Sequence, residues 1–120
     1  MLRLKHRDLK VWQEAMALVK LAYMIIAQFP GHELYGLASQ TRRAAIAIPC
    51  NIAEGAARNS KTQFLQFLNI ARGSLSELET QLLIARDLGY VADGKEWEEG
   101  LEKVFALLSA LIRTLQWKQP

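Results

Sequence analysis

Apolar residues recur along this chain in alternating steps of three and four, the spacing that lines them up on one side of an α-helix. Trp12, Ala15, Val19, Ala22, Ile26 and Phe29 make the first such line, Met16 and Tyr23 widen it, and Val11, Leu18 and Ile25 add a second on its flank. That is more apolar surface than one neighbouring helix can cover. With Asp8 as N-cap and Pro30-Gly31 as a stop, a helix is expected over about 8–29.

The next line is the anomalous one. In SQTRRAAIAIPCNIAEGAAR, residues 39–58, a helix-coded segment carries a proline, an asparagine and a glutamate. Leu37, Thr41, Ala44, Ile48, Asn51, Gly55 and Arg58 share one stripe, and four of the seven are not ordinary core residues. A helix is expected over about 34–58. Pro49 removes one backbone donor and crowds the carbonyl of Ala45, which predicts a kink and not two separate helices. The many alanines and Gly55 allow close approach of other helices, so this helix is expected to be central.

Ser60-Lys61-Thr62-Gln63 fits a capping box and opens a third helix, about 60–88. Its seam of Phe64, Leu68, Ala71, Leu75, Leu78, Leu82 and Ala85 holds for three heptads, and Gly89-Tyr90 suits a Schellman ending. Asp93 and Glu96 resemble another capping box before a fourth helix, about 94–116, with Trp97, Leu101, Val104, Leu108, Leu111 and Leu115 on its seam. No stretch shows the two-residue alternation of a strand. Long helices joined by short loops are most simply an all-α, antiparallel up-down-up-down four-helix bundle with its second helix kinked at a proline. The competing architecture is a helical hairpin built into a larger oligomer.

Composition narrows the picture further. The 120 residues make one domain, and 51% apolar with 22% charged residues describes a chain that folds. No apolar run reaches the ~18–20 residues a bilayer needs, and MLRLKHRDLK has no apolar region after its charges, so neither a membrane span nor a signal peptide is expected. A cytoplasmic protein is the expectation. Cys50 has no partner for an internal disulfide and reads as a small buried residue. The net charge of +3 is polarised, with +6 over residues 1–75 and −3 over 76–120.

Candidate chemistry is sparse. A di-iron or di-manganese bundle needs Glu-x-x-His pairs, and neither His6 nor His32 has a glutamate three residues before it. One cysteine and two distant histidines, both expected to be hydrated, supply no zinc site, and neither a phosphate loop nor a nucleophile motif is present. No catalytic residue, metal or cofactor is therefore expected, and no small-molecule substrate is evident. Two readings of the polar residues remain. In one, Arg3, Lys5, Arg7 and Lys10 of a basic arm over 1–7 and the first helix join Arg42, Arg43, Arg58 and Lys61 in a phosphate-binding face. Against it, no aromatic residue is interleaved with these charges. In the other, Asn51, Glu54 and Arg58 join Arg72, Glu77 and Glu79 of the third helix in a network buried between helices or held between protomers, where it selects one assembly.

The pieces DLKVWQEAM, YGLASQTRRAAIAIPCNIAEGAAR and FLNIARGSLSELETQLLIARDLGY resemble the bacterial 23S rRNA-intervening-sequence protein family over residues 8–90. The most specific parts are the arginine pair, proline, Asn51, Glu54 and Gly55 together with Ala71-Arg72-Gly73-Ser74. Cys50 stands where the family commonly has serine. The resemblance implies a four-helix bundle in a ring-like homo-oligomer, a pentamer, with no established enzymatic activity. A distant relationship to the accessory protein of diversity-generating retroelements implies an RNA or DNA partner. The resulting expectation is a non-enzymatic homo-oligomer that binds nucleic acid or a nucleoprotein through a basic face. The alternative is a structural scaffold or adaptor for another protein.

Overall fold

The computed structural model describes residues 5–92 and 94–117, and these form four helices with no strand among them. They are α1 (Lys10–Ile26), α2 (Leu37–Ala56), α3 (Lys61–Asp87) and α4 (Lys95–Trp117). Single 3-10 turns at Lys5–Asp8 and Gly31–Glu33 precede α1 and α2. Each helix packs on two others, α1 on α2 and α4, α3 on α2 and α4, which closes a four-helix bundle. The long dimension of 49 Å accommodates the ~40 Å length of the 27-residue α3, so the helices follow that axis. A four-residue link between α2 and α3 reaches at most ~14 Å, so α3 must return alongside α2.

The core is the set of seams expected from periodicity. Leu68, Ala71, Leu75, Leu78, Leu82 and Ala85 of α3 are buried, with Phe64 half-buried at the start of the line. The two apolar lines of α1 are covered, Trp12 and Val19 in part, because α1 has two neighbours, while Met16 and Tyr23, which widened the first line, stay exposed. Gly100 of α4 lies against Leu18 and Leu21. On α4 burial passes from Leu111, which is half-buried, to Ile112, which is buried. A helix of 3.6 residues per turn drifts ~20° per heptad from a strict seven-residue line, about 40° over the two heptads after Trp97, which brings Ile112 nearer the core than Leu111.

Ends of helices follow the same logic with two departures. Ser60 Oγ accepts from the Gln63 amide at 3.2 Å, as a capping serine should. At the far end Gly89 has φ 79°, the Tyr90 amide reaches the Ala85 carbonyl at 2.9 Å and the Gly89 amide that of Arg86 at 3.0 Å, which completes a Schellman ending. Asp8, expected as the N-cap of α1, instead ends the 3-10 turn. Leu9 takes the N-cap position with no side-chain cap, because it is half-buried against the core and the Leu9 amide bonds the His6 carbonyl at 3.0 Å. The start of α2 shifts from Leu34 to Leu37, where Glu33 Oε1 accepts from the Leu37 amide at 3.1 Å. The Asp93 part of the expected capping box before α4 lies outside the described residues.

α2 continues unbroken through the buried Pro49. Its buried side comprises Ala38, Thr41, Ala44, Ala45, Ile48, Pro49, Ile52, Gly55 and Ala56. The fully buried Thr41 hydroxyl is satisfied by the Leu37 carbonyl at 2.7 Å. Cys50 is exposed, not buried as its neighbours suggested, because it lies opposite Ile48 and Ile52 on the helix. Glu14 of α1 bridges Lys10 at 3.2 Å and Lys103 of α4 at 3.1 Å, and these hydrogen bonds, Lys103 first, hold its carboxyl below the usual glutamate range. No helix among the described residues is long and apolar enough to cross a membrane.

Candidate nucleic-acid interface

The fold brings part of the expected basic face together and separates the rest. The turn before α1, the α2–α3 link, the start of α3 and the end of α4 meet at one end of the bundle. A cleft of about 330 Å³ opens there. Lys5, Arg58 and Lys61 line it, one from each of three segments, and among the described residues no carboxylate does. Half-buried Leu9, Phe64 and Leu115, which also pack on the core, make its apolar wall, while Asn59 and Ser60 add neutral polar groups. Beginning α3 at Lys61 adds the partial positive charge of a helix N-terminus to the same place.

Arg42 and Arg43 are elsewhere, because ~22 Å of helix axis separates Arg43 from Arg58. The Arg42 guanidinium lies 5.7 Å from the centre of the Tyr23 ring. Lys10 is exposed and engaged with Glu14, and Arg7 is exposed in the 3-10 turn, where its carbonyl accepts from Gln13 Nε2 at 2.8 Å. Arg3 lies outside the described residues. Among the described residues these cations thus form no continuous face, and three of them line a cleft.

Sequence reasoning missed the aromatic component. Phe64 and Phe67 follow Lys61 by three and six residues, and the Arg58 guanidinium sits 5.0 Å from the Phe67 ring centre. Aromatic side chains at helical spacing after a lysine were the available signal.

Inside the chain, the expected network between α2 and α3 does not form. Asn51 is half-buried and donates from Nδ2 to the Ala47 carbonyl of its own helix at 2.8 Å. Glu54 is exposed and pairs with Arg58 at 3.5 Å along α2. Arg72 Nη2 donates to Asn69 Oδ1 at 2.7 Å, and Glu77 and Glu79 are exposed. The reason is rotation. The core side of α2 is centred between Ile48 and Ile52, which leaves Asn51, Glu54 and Arg58 at its edge.

The histidines, one near each end of the bundle, are not simply hydrated. Tyr90 Oη donates to Glu33 Oε2 at 2.8 Å and lies 3.3 Å from His32 Nε2, and His6 packs edge-on against Trp12 with ring centres 5.0 Å apart. Donation from the Leu37 amide and then from Tyr90 holds the Glu33 carboxyl below its ordinary value, and that same bond to Glu33 raises the Tyr90 hydroxyl. Among the described residues no group of three or more His, Cys, Asp or Glu side chains is placed to hold a metal ion.

With four packed helices and this arrangement of side chains in view, comparison with known families is decisive. The family model described as 23S rRNA-intervening sequence protein matches residues 7–110. The chain belongs to that family. The match covers α1 to α3 and most of α4, so the intervening-sequence family assignment takes in the C-terminal helix, which carries no distinctive residues of its own. A search of curated proteins finds no match.

Proposed function

We propose that this intervening-sequence family protein binds nucleic acid electrostatically at the basic end of its bundle, as one subunit of a homo-oligomer. The observation that carries the reading is the cleft at which Lys5, Arg58 and Lys61 converge, with no carboxylate lining it among the described residues. Cations gathered from separate elements around a concavity attract a phosphate backbone, and each phosphate neutralised releases counterions. Fluorescence polarisation with labelled RNA and DNA oligonucleotides across a salt series tests it. Affinity is expected to fall linearly in log–log form as salt rises; no binding at low salt to either nucleic acid would remove the reading.

Self-association is supported by a second line on α3 that is apolar at both ends. Phe67, Ile70, Ile84 and Leu88 share one line beside the core seam, apolar at its two ends and polar between them at Ser74, Glu77 and Gln81, and Ile70, Ile84 and Leu88 are about half exposed. This line adjoins the edge of α2 that carries Asn51, Glu54 and Arg58, since Arg58 lies over Phe67. Exposed apolar patches at both ends of one helical line, with charged and polar groups between and beside them, are what a helix offers to another copy of itself. In such an assembly Asn51 and Glu54 find their partners between protomers. Five copies is the number the resemblance implies, and light-scattering mass measures it.

A further inference from the structure

The same cleft has a property that phosphate attraction alone does not require. Its wall is apolar and aromatic, made by Leu9, Phe64 and Leu115, whereas its charges come from Lys5, Arg58 and Lys61. A sugar–phosphate backbone gains nothing from an apolar wall. A nucleobase does, because every base has a flat π-face that stacks on an aromatic ring. Phe64 packs against Gly55 on one side, where a Cβ on the glycine would come within 2.9 Å of Phe64 Cδ1, and the ring also lines the cleft.

The volume of about 330 Å³ is at the small end of ligand pockets and suits one nucleotide. In a duplex both faces of a base are already stacked and its edges are paired, so duplex can touch only the charged rim. We infer that the cleft takes an unpaired nucleotide of a single strand, its base against Phe64 and its phosphates on Lys5, Arg58 and Lys61. This rests on the reading of the cleft as a nucleic-acid site and adds which form of nucleic acid it selects.

The experiment is a polarisation titration of the full chain against two fluorescein-labelled probes of equal length, an unstructured single strand and a blunt duplex. It is repeated for Phe64→Leu and Lys61→Ala, with a thermal melt of each variant. The single strand is expected to bind ~10-fold more tightly than the duplex, within the range that stacking of one base gives. Phe64→Leu removes that preference while leaving duplex affinity and salt dependence in place. Lys61→Ala weakens both probes and lowers the salt slope by ~0.7 on the single strand. Equal affinity for the two probes overturns the inference and leaves nucleic-acid binding standing, whereas failure of both probes to bind at low salt overturns both. Should Phe64→Leu not fold, the comparison of the two probes on the unaltered chain still decides the matter.

Discussion

A Cβ placed on Gly55 would stand 2.8 Å from the Cβ of Phe67, closer than two such carbons approach. The glycine is therefore what lets the end of α2 lie directly on the first turns of α3, and it positions the cleft wall as well, since Phe64 is its other neighbour. Gly55→Ala gains ~1 kcal/mol of helix propensity but must push α3 away, and overpacking of this kind costs about 1–3 kcal/mol. A lower urea midpoint is expected. Gly73, exposed within α3 with nothing within 4 Å of a built Cβ, is the control, and Gly73→Ala should stabilise by about 1 kcal/mol. Denaturant titrations of the pair check this, and equal shifts of the same sign would show that crowding at Gly55 is unimportant.

Acid stability should carry the signature of Glu33. Its carboxylate accepts from the Leu37 amide and the Tyr90 hydroxyl, which outweigh desolvation and place its folded pKa below the ordinary 4.5. The unfolded chain lacks both donors and so takes up the proton first as pH falls. The contribution is present above the unfolded value and is lost as pH drops through the lower folded one. Glu33→Gln should accordingly melt below the unaltered chain at pH 7, with the gap closing towards pH 3. Melts at pH 7, 5 and 3 measure it, and a gap independent of pH would assign the bond no charge.

How much of this was legible beforehand depended on how one-sided each helix is. α3 could be read almost residue by residue because its large apolar side chains keep to one seam, its first turn has a serine cap and its last has Gly89. α2 could not, because alanine and glycine occur all around it, and small residues do not declare which side is buried. The rotation that exposes Cys50 and leaves Asn51 at the edge is set by Ile48 and Ile52 filling the core, a tertiary choice that outranks the stripe drawn from spacing. The cleft was illegible for a different reason. Lys5, Lys61 and Leu115 are more than fifty residues apart in turn, and only closure of the bundle brings the ends of four helices to one place.

Gly94 makes a further case of a glycine fixed by an aromatic neighbour. A Cβ there would overlap the indole of Trp97, which is 3% exposed in the core at the start of α4. Gly94→Ala must displace either the ring or the preceding backbone, at a cost of about 1–3 kcal/mol. Tryptophan fluorescence should shift to the red as Trp97 moves towards water, and the melting temperature should fall. An unshifted spectrum with unchanged stability would mean that the loop before α4 yields freely.

The second line of α3, apolar at both ends, yields the prediction that bears on assembly. Ile84 is 43% exposed, so Ile84→Glu removes little from the protomer's own core and places a charge where another copy is proposed to pack. A carboxylate buried in an interface without a partner costs several kcal/mol, far more than the same carboxylate in water. Sedimentation mass should fall to that of a protomer or smaller assembly while the helical circular dichroism is retained. Asn51→Ala and Glu54→Ala separate the polar part of that face from the apolar part. Among the described residues of one protomer, Asn51 bonds only its own helix and Glu54 makes only an exposed pair along α2, so their loss should cost the protomer less than about 1 kcal/mol. Between protomers the same side chains have no substitute. A fall in mass for these two variants at unchanged helicity places them in the contact. An unchanged mass for Ile84→Glu and both polar variants would return this face of the bundle to solvent.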